Sequence, residues 1–285
     1  MMSISFEQLL NAKSVKRIIE DLREASSNLD IEFFAVGALA RNVWYMENKE
    51  DARGTKDVDF GVYVPNHQIY QSLKDMLIAN FGYNEISTNA FCLISPYEKL
   101  PVDLLPFGEI ENQGKVITEG SGLVSINLDG FSEVYEHGLL SKLIEGVKLS
   151  ICSIPSVVLL KLIAYDDRPD NRPKDPLDIN SIFIYYPDIE SEKLWGEYNF
   201  LYDDEKTHDE VGISVLGYEI SKIIFSNDTL IERVVNILDK AINSESQLAE
   251  KMIQNPVEET VKSKQDMLVF LRNGIVSGLE KYGAE

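Results

Sequence analysis

The sequence contains only two cysteines, three histidines and no long run of apolar residues. No window approaches the roughly 20 apolar residues that a membrane helix needs, so no membrane partner is predicted. Cys92 and Cys152 lie in apolar, strand-like runs, which favours buried free thiols over a disulfide bond. The N-terminal stretch is amphipathic and carries acids, so it is not expected to be a signal peptide. Together these features predict a cytoplasmic protein.

Several common catalytic patterns are also missing. The histidines, His67, His137 and His208, are scattered, and no two of them have the spacing of metal ligands. The sequence has no Gly-x-Ser-x-Gly elbow and no P-loop, and neither cysteine has a histidine nearby in the chain. Nucleophilic catalysis therefore has no candidate residue.

Positive charge is scarce relative to negative charge. The chain has 27 lysines and arginines against 47 aspartates and glutamates, a net charge of −20. The acids are spread over both halves of the chain and no basic run is present. Long-range repulsion of phosphate polyanions follows, which argues against a general nucleic-acid-binding protein. An RNA, if one binds, must be held by few contacts or with the help of metal ions.

The periodicity of the apolar residues changes once along the 285-residue chain. The first half alternates strand-like runs with helical segments, whereas the chain from Ile154 onward has almost entirely helical spacing. We therefore predict a mixed α/β domain built around a sheet, residues 1–153, followed by an all-helical domain, residues 154–285. The predicted strands are 31–37, 56–64, 89–95, 101–108, 123–128, 130–136 and 147–154, and the predicted helices of the first domain are 6–28, 38–48 and 66–82.

Two aspartates lie one residue apart inside the apolar run "KDVDFGVYV". Side chains alternate faces along a strand, so Asp57 and Asp59 are expected on the same face. Two like charges at such a short separation repel each other unless a cation lies between them. Mg²⁺ prefers carboxylate and phosphate oxygens as ligands. Asp-x-Asp on a strand is therefore a candidate binding site for a divalent cation. An edge strand with one solvated face gives the same pattern.

Asp103 is a third carboxylate in an apolar strand, within "PVDLLPFG". If its strand is a neighbour of the strand that carries Asp57 and Asp59, the three carboxylates converge, which suits a two-metal site. The alternative is an acid at a strand end that caps a turn, since Pro101 and Pro106 flank it.

A glycine turn precedes these carboxylates. "FFAVGALAR" is a predicted strand that runs into Gly37 and then into a helix N-terminus. Glycine lets the backbone approach a phosphate closely, and the free N–H groups of a helix N-terminus favour an anion. A tight strand-to-helix turn with no ligand is the alternative interpretation of Gly37.

These residues resemble a known family. The segments "VGALAR" (36–41), "RGTKDVDF" (53–60), "VDLLPFG" (102–108) and "LLKLIAYDDRPDNRPKDPLDI" (159–179) are similar to blocks of the AbiEii-like nucleotidyltransferases of the DNA polymerase β-like superfamily. The resemblance covers roughly residues 31–180 and implies a small mixed sheet flanked by helices, then a helical domain, with nucleotide in the cleft between them. It implies transfer of a nucleoside monophosphate from an NTP to an acceptor, and some members are toxins with a cognate antitoxin protein.

The resemblance also implies roles for individual residues. Asp57, Asp59 and Asp103 would hold Mg²⁺ (or Mn²⁺), and Asp103 would help to activate the acceptor hydroxyl. The remaining implied residues contact the nucleotide: Gly37 and Ala38 at the turn, Arg41, Thr55, Lys161 and Asp178.

At four positions the residues depart from these implied roles or have a second interpretation. In "KDPLDI" Asp175 has the spacing of an N-cap, and Asp178 is either a capping residue or the family's second-domain carboxylate. Ala38 and Asn42 depart from the family pattern, since a Gly or Ser and an acid are expected there. These departures keep open a non-catalytic nucleotide- or protein-binding module on the same fold.

Overall fold

The computed structural model describes residues 12–50, 56–112, 114–144, 146–203 and 205–282. The chain divides into two compact units, the first made of residues up to 135 plus 139–153, and the second made of residues 136–138 plus those from 154 onward. Among the described residues no helix is both long and apolar enough to cross a membrane.

The first unit has a mixed α/β fold. Its helices surround a seven-stranded mixed sheet of order β3-β4-β5-β2-β1-β9-β8, and β6 and β7 form a separate pair. The elements in chain order are α1 (Ala12–Leu29), β1 (Glu32–Ala35), α2 (Gly37–Glu47), β2 (Val58–Tyr63), α3 (His67–Phe81), β3 (Asn84–Glu85), β4 (Cys92–Ile94), β5 (Pro101–Phe107), β6 (Lys115–Ile117), β7 (Ser125–Asn127), α4 (Phe131–His137), β8 (Leu139–Ile144) and β9 (Val147–Cys152).

Parallel and antiparallel pairs meet at the centre of this sheet. Strand β2 is parallel to β5 and antiparallel to β1, while β1 is parallel to β9. Central strands covered on both faces are expected to be rich in apolar residues, and the side chains of Phe34, Phe60 and Leu104 are fully buried. A charged side chain on these strands is therefore an exception that calls for a reason.

Most predicted elements of this unit are present, but one is wrong. Residues 130–136, expected to form a strand, lie largely in helix α4. Phe131, Val134 and Tyr135 have the i, i+3, i+4 spacing of one helix face, and Phe131 and Tyr135 pack their rings against Phe34. The alternation that suggested a strand was too short to distinguish the two periods.

The second unit is helical. It contains α5 (Ile154–Asp167), α6 (Asp175–Ile189), α7 (Ser191–Gly196), α8 (His208–Ile224), α9 (Asp228–Ile242), α10 (Leu248–Lys251) and α11 (Val261–Tyr282), with 3₁₀ turns at Pro169–Asn171 and Asn199–Leu201. Helix α8 begins with a capping box in which the Thr207 hydroxyl accepts from the Glu210 N–H and the Glu210 carboxylate accepts in return.

Helices α8 and α11 approach each other closely at glycines. A methyl group placed on Gly274 of α11 would overlap the carbonyl oxygen of Ser214 on α8, and one placed on Gly217 would overlap that of Leu271. Backbone atoms cannot move aside as a flexible side chain can. The two glycines therefore fix how near the helix axes come.

Replacing Gly274 by alanine is expected to destabilise the protein. In an exposed helix the same change would gain about 1 kcal/mol of helix propensity, but overpacking against a carbonyl costs about 1–3 kcal/mol. We predict a net loss in the free energy of unfolding, measured by urea denaturation. Gly196→Ala is the matched control, because no described atom lies within 4 Å of the position that its new methyl group would take. Equal stability of the two variants would contradict the close approach.

Candidate active site

Two carboxylates lie side by side at the centre of the sheet. In the parallel pair β2–β5 the register places Asp59 directly opposite Asp103. Residues opposite each other in a parallel pair present their side chains on the same face, so the two carboxylates share one surface of the sheet. Both residues are half-buried, between fully buried neighbours such as Val58 and Val102. The condition that the sequence left open, adjacency of these two strands, is met.

The glycine turn lies against the same carboxylate. Gly37 is the first residue of α2 and has a positive φ of 58°, which favours glycine. A methyl group on its Cα would come 2.7 Å from Oδ2 of Asp59. The Val36 N–H donates to the Asp59 carbonyl oxygen at 3.0 Å, which ties the start of the helix to β2. The N-terminus of α2 and the Asp59 carboxylate therefore form one surface.

This N-terminus is suited to an anion. The N-cap residue Val36 provides no side-chain hydrogen bond to the first turn of α2, and Gly37 and Ala38 are both partly exposed. The first N–H groups of a helix and its dipole attract phosphate. A phosphate bound there would face the negative charge of Asp59, and a divalent cation between the two anions would turn that repulsion into attraction.

Asp103 is held by neutral groups from the other side. The Asn89 Nδ2 donates to Oδ1 of Asp103 at 3.3 Å, and the Asn89 Oδ1 accepts from the Phe91 N–H at 2.9 Å, which fixes the orientation of the amide. Cys92 of β4 is the register partner of Asp103 on that side. Burial and the neighbouring Asp103 carboxylate raise the pKa of the Cys92 thiol, so the thiol stays protonated.

The sequence reasoning missed Asn89 and Cys92 as parts of this site. Asn89 lies at the start of a predicted strand, and its contact depends on how β4 pairs with β5 across a loop. Nothing in the local pattern of residues 89–95 specifies that register. The only usable signal is the two-residue period of a strand, which places the Cys92 side chain on one face of β4 and the side chains of its sequence neighbours on the other.

Asp57 and Thr55 complete the predicted set in the first unit. Asp57 is exposed and lies one residue before β2, so it is outside the regular strand on which it was predicted. Thr55 lies outside the described residues. Among the residues that the structure describes, no group of three or more His, Cys, Asp or Glu side chains could hold a metal ion. The metal role of Asp57, Asp59 and Asp103 stays a prediction, and phosphate oxygens would have to supply further ligands.

Arg41 and Asn42 are buried next to each other on α2. Arg41 is 3% exposed and Asn42 is fully buried. The Arg41 Nε and Nη2 both donate to the Asn42 Oδ1, at 3.3 and 2.9 Å. The guanidinium also lies 5.6 Å from the ring centroid of Tyr45. Asn42 thus presents to Arg41 a neutral oxygen where the family pattern has an acid, and the predicted contact of Arg41 with nucleotide stays a prediction.

Lys161 and Asp178 lie in the second unit, in a buried ionic cluster. The Lys161 Nζ is 2.7 Å from Oδ1 of Asp175 and 2.9 Å from Oδ2 of Asp178. Burial lowers the pKa of the Lys161 ammonium, but the two carboxylates more than offset this, so the pKa lies above its ordinary value. The lysine therefore stays charged and pairs with both carboxylates. Contact of Lys161 or Asp178 with nucleotide stays a prediction.

The predicted capping role of Asp175 is wrong. Helix α6 begins at Asp175, its N-cap is Lys174, and no described side chain caps the first turn. The reason is energetic. An N-cap contributes about 1 kcal/mol, whereas a buried ammonium left without a counter-charge costs several. Oδ2 of Asp175 is buried and has no hydrogen-bond partner among the described residues.

Gly37→Ala is expected to destabilise the first unit through two effects. The positive φ strains any residue with a Cβ, and the new methyl group would collide with the Asp59 carboxylate. Gly82→Ala is the matched control, because Gly82 has a φ of 78° but no described atom within 4 Å of where its methyl group would lie. We predict a loss about 1–3 kcal/mol larger for Gly37→Ala, measured by chemical denaturation. Equal losses would mean that Asp59 does not lie against Gly37.

Lys161→Met is expected to destabilise the second unit strongly. Removing the ammonium of Lys161 leaves two buried carboxylates facing each other, which costs about 3–5 kcal/mol. The variant Lys161→Met, Asp175→Asn, Asp178→Asn should recover most of that loss, because none of the three charges then remains buried. Lys262→Met is the control, since Lys262 pairs with Asp266 on the exposed surface and should change stability by less than about 1 kcal/mol. A loss as small for Lys161→Met would contradict the cluster.

The sequence matches no protein-family model and no curated protein. Several solved structures are similar in fold, among them the following two. One is the solution structure of the antibiotic-resistance factor ANT(2'')-Ia, with 13% identity, a TM-score of 0.37, and coverage of 65% of this chain and 89% of that one. The other is the crystal structure of an antigenic nucleotidyltransferase-like protein from Paracoccidioides brasiliensis, with 12% identity, a TM-score of 0.40, and coverage of 66% and 91%. These likenesses are distant, so we infer a function from the residues themselves.

Proposed function

We propose that this protein is a metal-dependent nucleotidyltransferase that transfers a nucleoside monophosphate from an NTP to an acceptor hydroxyl. One observation carries the proposal: Asp59 and Asp103 are register partners on adjacent parallel strands, and Gly37 at the N-terminus of α2 lies against Asp59. A carboxylate pair beside a helix N-terminus combines ligands for a divalent cation with backbone N–H groups that bind phosphate.

The residues fit Mg²⁺ (or Mn²⁺) with a nucleotide. Mg²⁺ is usually bound through one or two carboxylates, with substrate phosphates and waters as the other ligands, and Asp59 and Asp103, with Asp57 nearby in the chain, supply oxygens of this kind. When bound, such an ion neutralises the negative charge that develops on the phosphates during transfer. Gly37 and Ala38 would bind the triphosphate through backbone N–H groups.

The transfer itself needs little from the protein beyond positioning and charge neutralisation. The acceptor oxygen forms a bond to the α-phosphorus, the bond from the α-phosphorus to the bridging oxygen breaks, and pyrophosphate leaves with the electron pair. Asp103 would accept the proton of the acceptor hydroxyl. Asn89 would hold Asp103 in the orientation that this transfer needs.

The acceptor is an RNA 3′ end, a protein or a small molecule. The net charge of −20 disfavours RNA, because the chain repels a polyanion at long range. Roles as a toxin, and a cognate antitoxin as partner, rest on the resemblance of the motifs alone. The alternative, a non-catalytic nucleotide-binding module, would bind the NTP without releasing pyrophosphate.

The test is transfer of label from α-phosphate-labelled NTPs in the presence of Mg²⁺ and total cell extract. We expect a labelled product that is lost on adding a chelator and restored by excess Mg²⁺. Asp59→Asn and Asp103→Asn should each lower the rate about 10²–10³-fold, the range found when one preorganised electrostatic group is removed.

Asp75→Asn is the matched control, because Asp75 is an exposed acid on α3 of the same unit and the change in net charge is identical. Its rate should equal that of the unmodified protein. Full activity in Asp59→Asn would refute the assignment. Nucleotide binding without any product would favour the non-catalytic module instead.

A further inference from the structure

An exposed aromatic stack lies in the second unit, away in sequence from every residue proposed for catalysis. Trp195 at the end of α7 is 57% exposed, which is unusual for the largest apolar side chain. Its ring stacks on that of Tyr202, with centroids 4.2 Å apart and planes within 7°. The ring of His208 is nearly parallel as well, at 5.7 Å and 12°.

The three distances show which face of the indole is covered. The Tyr202 and His208 centroids are 6.1 Å apart, and the Tyr202 hydroxyl is 2.6 Å from the His208 Nδ1. If the two rings lay on opposite faces of Trp195, their separation would approach the sum of their distances to it. Tyr202 and His208 therefore form one hydrogen-bonded layer under a single face of the indole. The other face accounts for the exposure.

Acidic residues accompany each ring. Glu192 lies one turn before Trp195 on α7, so it is on the same side of that helix. Asp203 follows Tyr202 and Asp209 follows His208, and all three acids are exposed. Residues 188–210 contain nine acids and two lysines. Both lysines are engaged in ion pairs, Lys193 with Glu219 and Lys206 with Asp203.

We propose that this aromatic stack, Trp195 over Tyr202 and His208, is a docking site for an arginine- or lysine-rich segment of a partner protein. An open indole face binds a guanidinium or ammonium group through its quadrupole, and acids at the rim add Coulomb attraction. The combination of tryptophan and neighbouring carboxylates selects a cation over a purely apolar ligand. This proposal does not depend on the catalytic activity.

The second unit already contains one contact between a cation and aromatic rings. The Lys281 Nζ lies 5.7 Å from the ring centroids of both Phe200 and Tyr218. Phe200 is 61% exposed, so its exposure matches that of Trp195, but its ring already has a cation from its own chain. A nucleic acid is disfavoured as the occupant of the Trp195 stack because its phosphates would meet the acids. A second copy of this chain is disfavoured because it also carries a net charge of −20.

The test is a titration of the full-length protein with a fluorescent arginine-rich peptide at physiological ionic strength. We expect saturable binding that weakens about 10-fold in Trp195→Ala, the loss that corresponds to one well-placed cation–π contact. Phe200→Ala is the matched control and should bind as the unmodified protein does. The double variant Glu192→Gln, Asp209→Asn keeps all three rings and should weaken binding while making it less sensitive to salt.

Circular dichroism establishes that each variant is folded before its affinity is compared. Unchanged affinity in Trp195→Ala would overturn the proposal, as would equal losses in Trp195→Ala and Phe200→Ala. Binding of a single-stranded oligonucleotide at least as tight as that of the peptide would overturn it too. A peptide with glutamate in place of arginine should not bind.

Discussion

The parallel pairing of β2 with β5 is the constraint on which the proposed site depends. It brings Asp59 opposite Asp103, although the two residues are far apart in the chain. Side chains alternate with a period of two, so a slip of one residue would send one carboxylate to the opposite face of the sheet. The buried residues on either side, Val58 and Phe60, resist that slip because it would expose them. Apolar packing thus fixes the position of two charges.

The sequence predicted the residue types of the site better than their arrangement. Alternation on a strand indicated that Asp59 lies apart from its apolar neighbours, and the glycine before a helix indicated a turn at Gly37. Neither pattern indicates which strands pair with each other, because the register between strands that are distant in the chain depends on the whole sheet. The contact of Asn89 with Asp103 depends on that pairing too. The short distance between Gly37 and Asp59 therefore follows from the pairing of the whole sheet and not from the local sequence.

Local sequence patterns predicted some helices and strands correctly and others wrongly. Helix α3 was predicted over residues 66–82, and Gly82 ends it in a left-handed conformation. Strand β8 was not predicted, and α4 was assigned to the wrong class because its apolar residues fit both periods over so few positions.

At Asp175 a local rule failed for a different reason. A buried lysine needs its carboxylate more than the helix needs a cap, so a long-range charge interaction overrode the local preference.

The order of strands in the sheet has a consequence for protein synthesis. The first strand to leave the ribosome, β1, lies between β2 and β9, and β9 is the last strand of the unit to be made. Parallel neighbours require long crossover connections, and such distant contacts form slowly. A nascent chain that ends before β9 therefore has an incomplete sheet with an open edge. The edge of β1 that faces β9 stays open until translation has passed the first unit, whereas β2 and β5, which carry Asp59 and Asp103, have both been made by then.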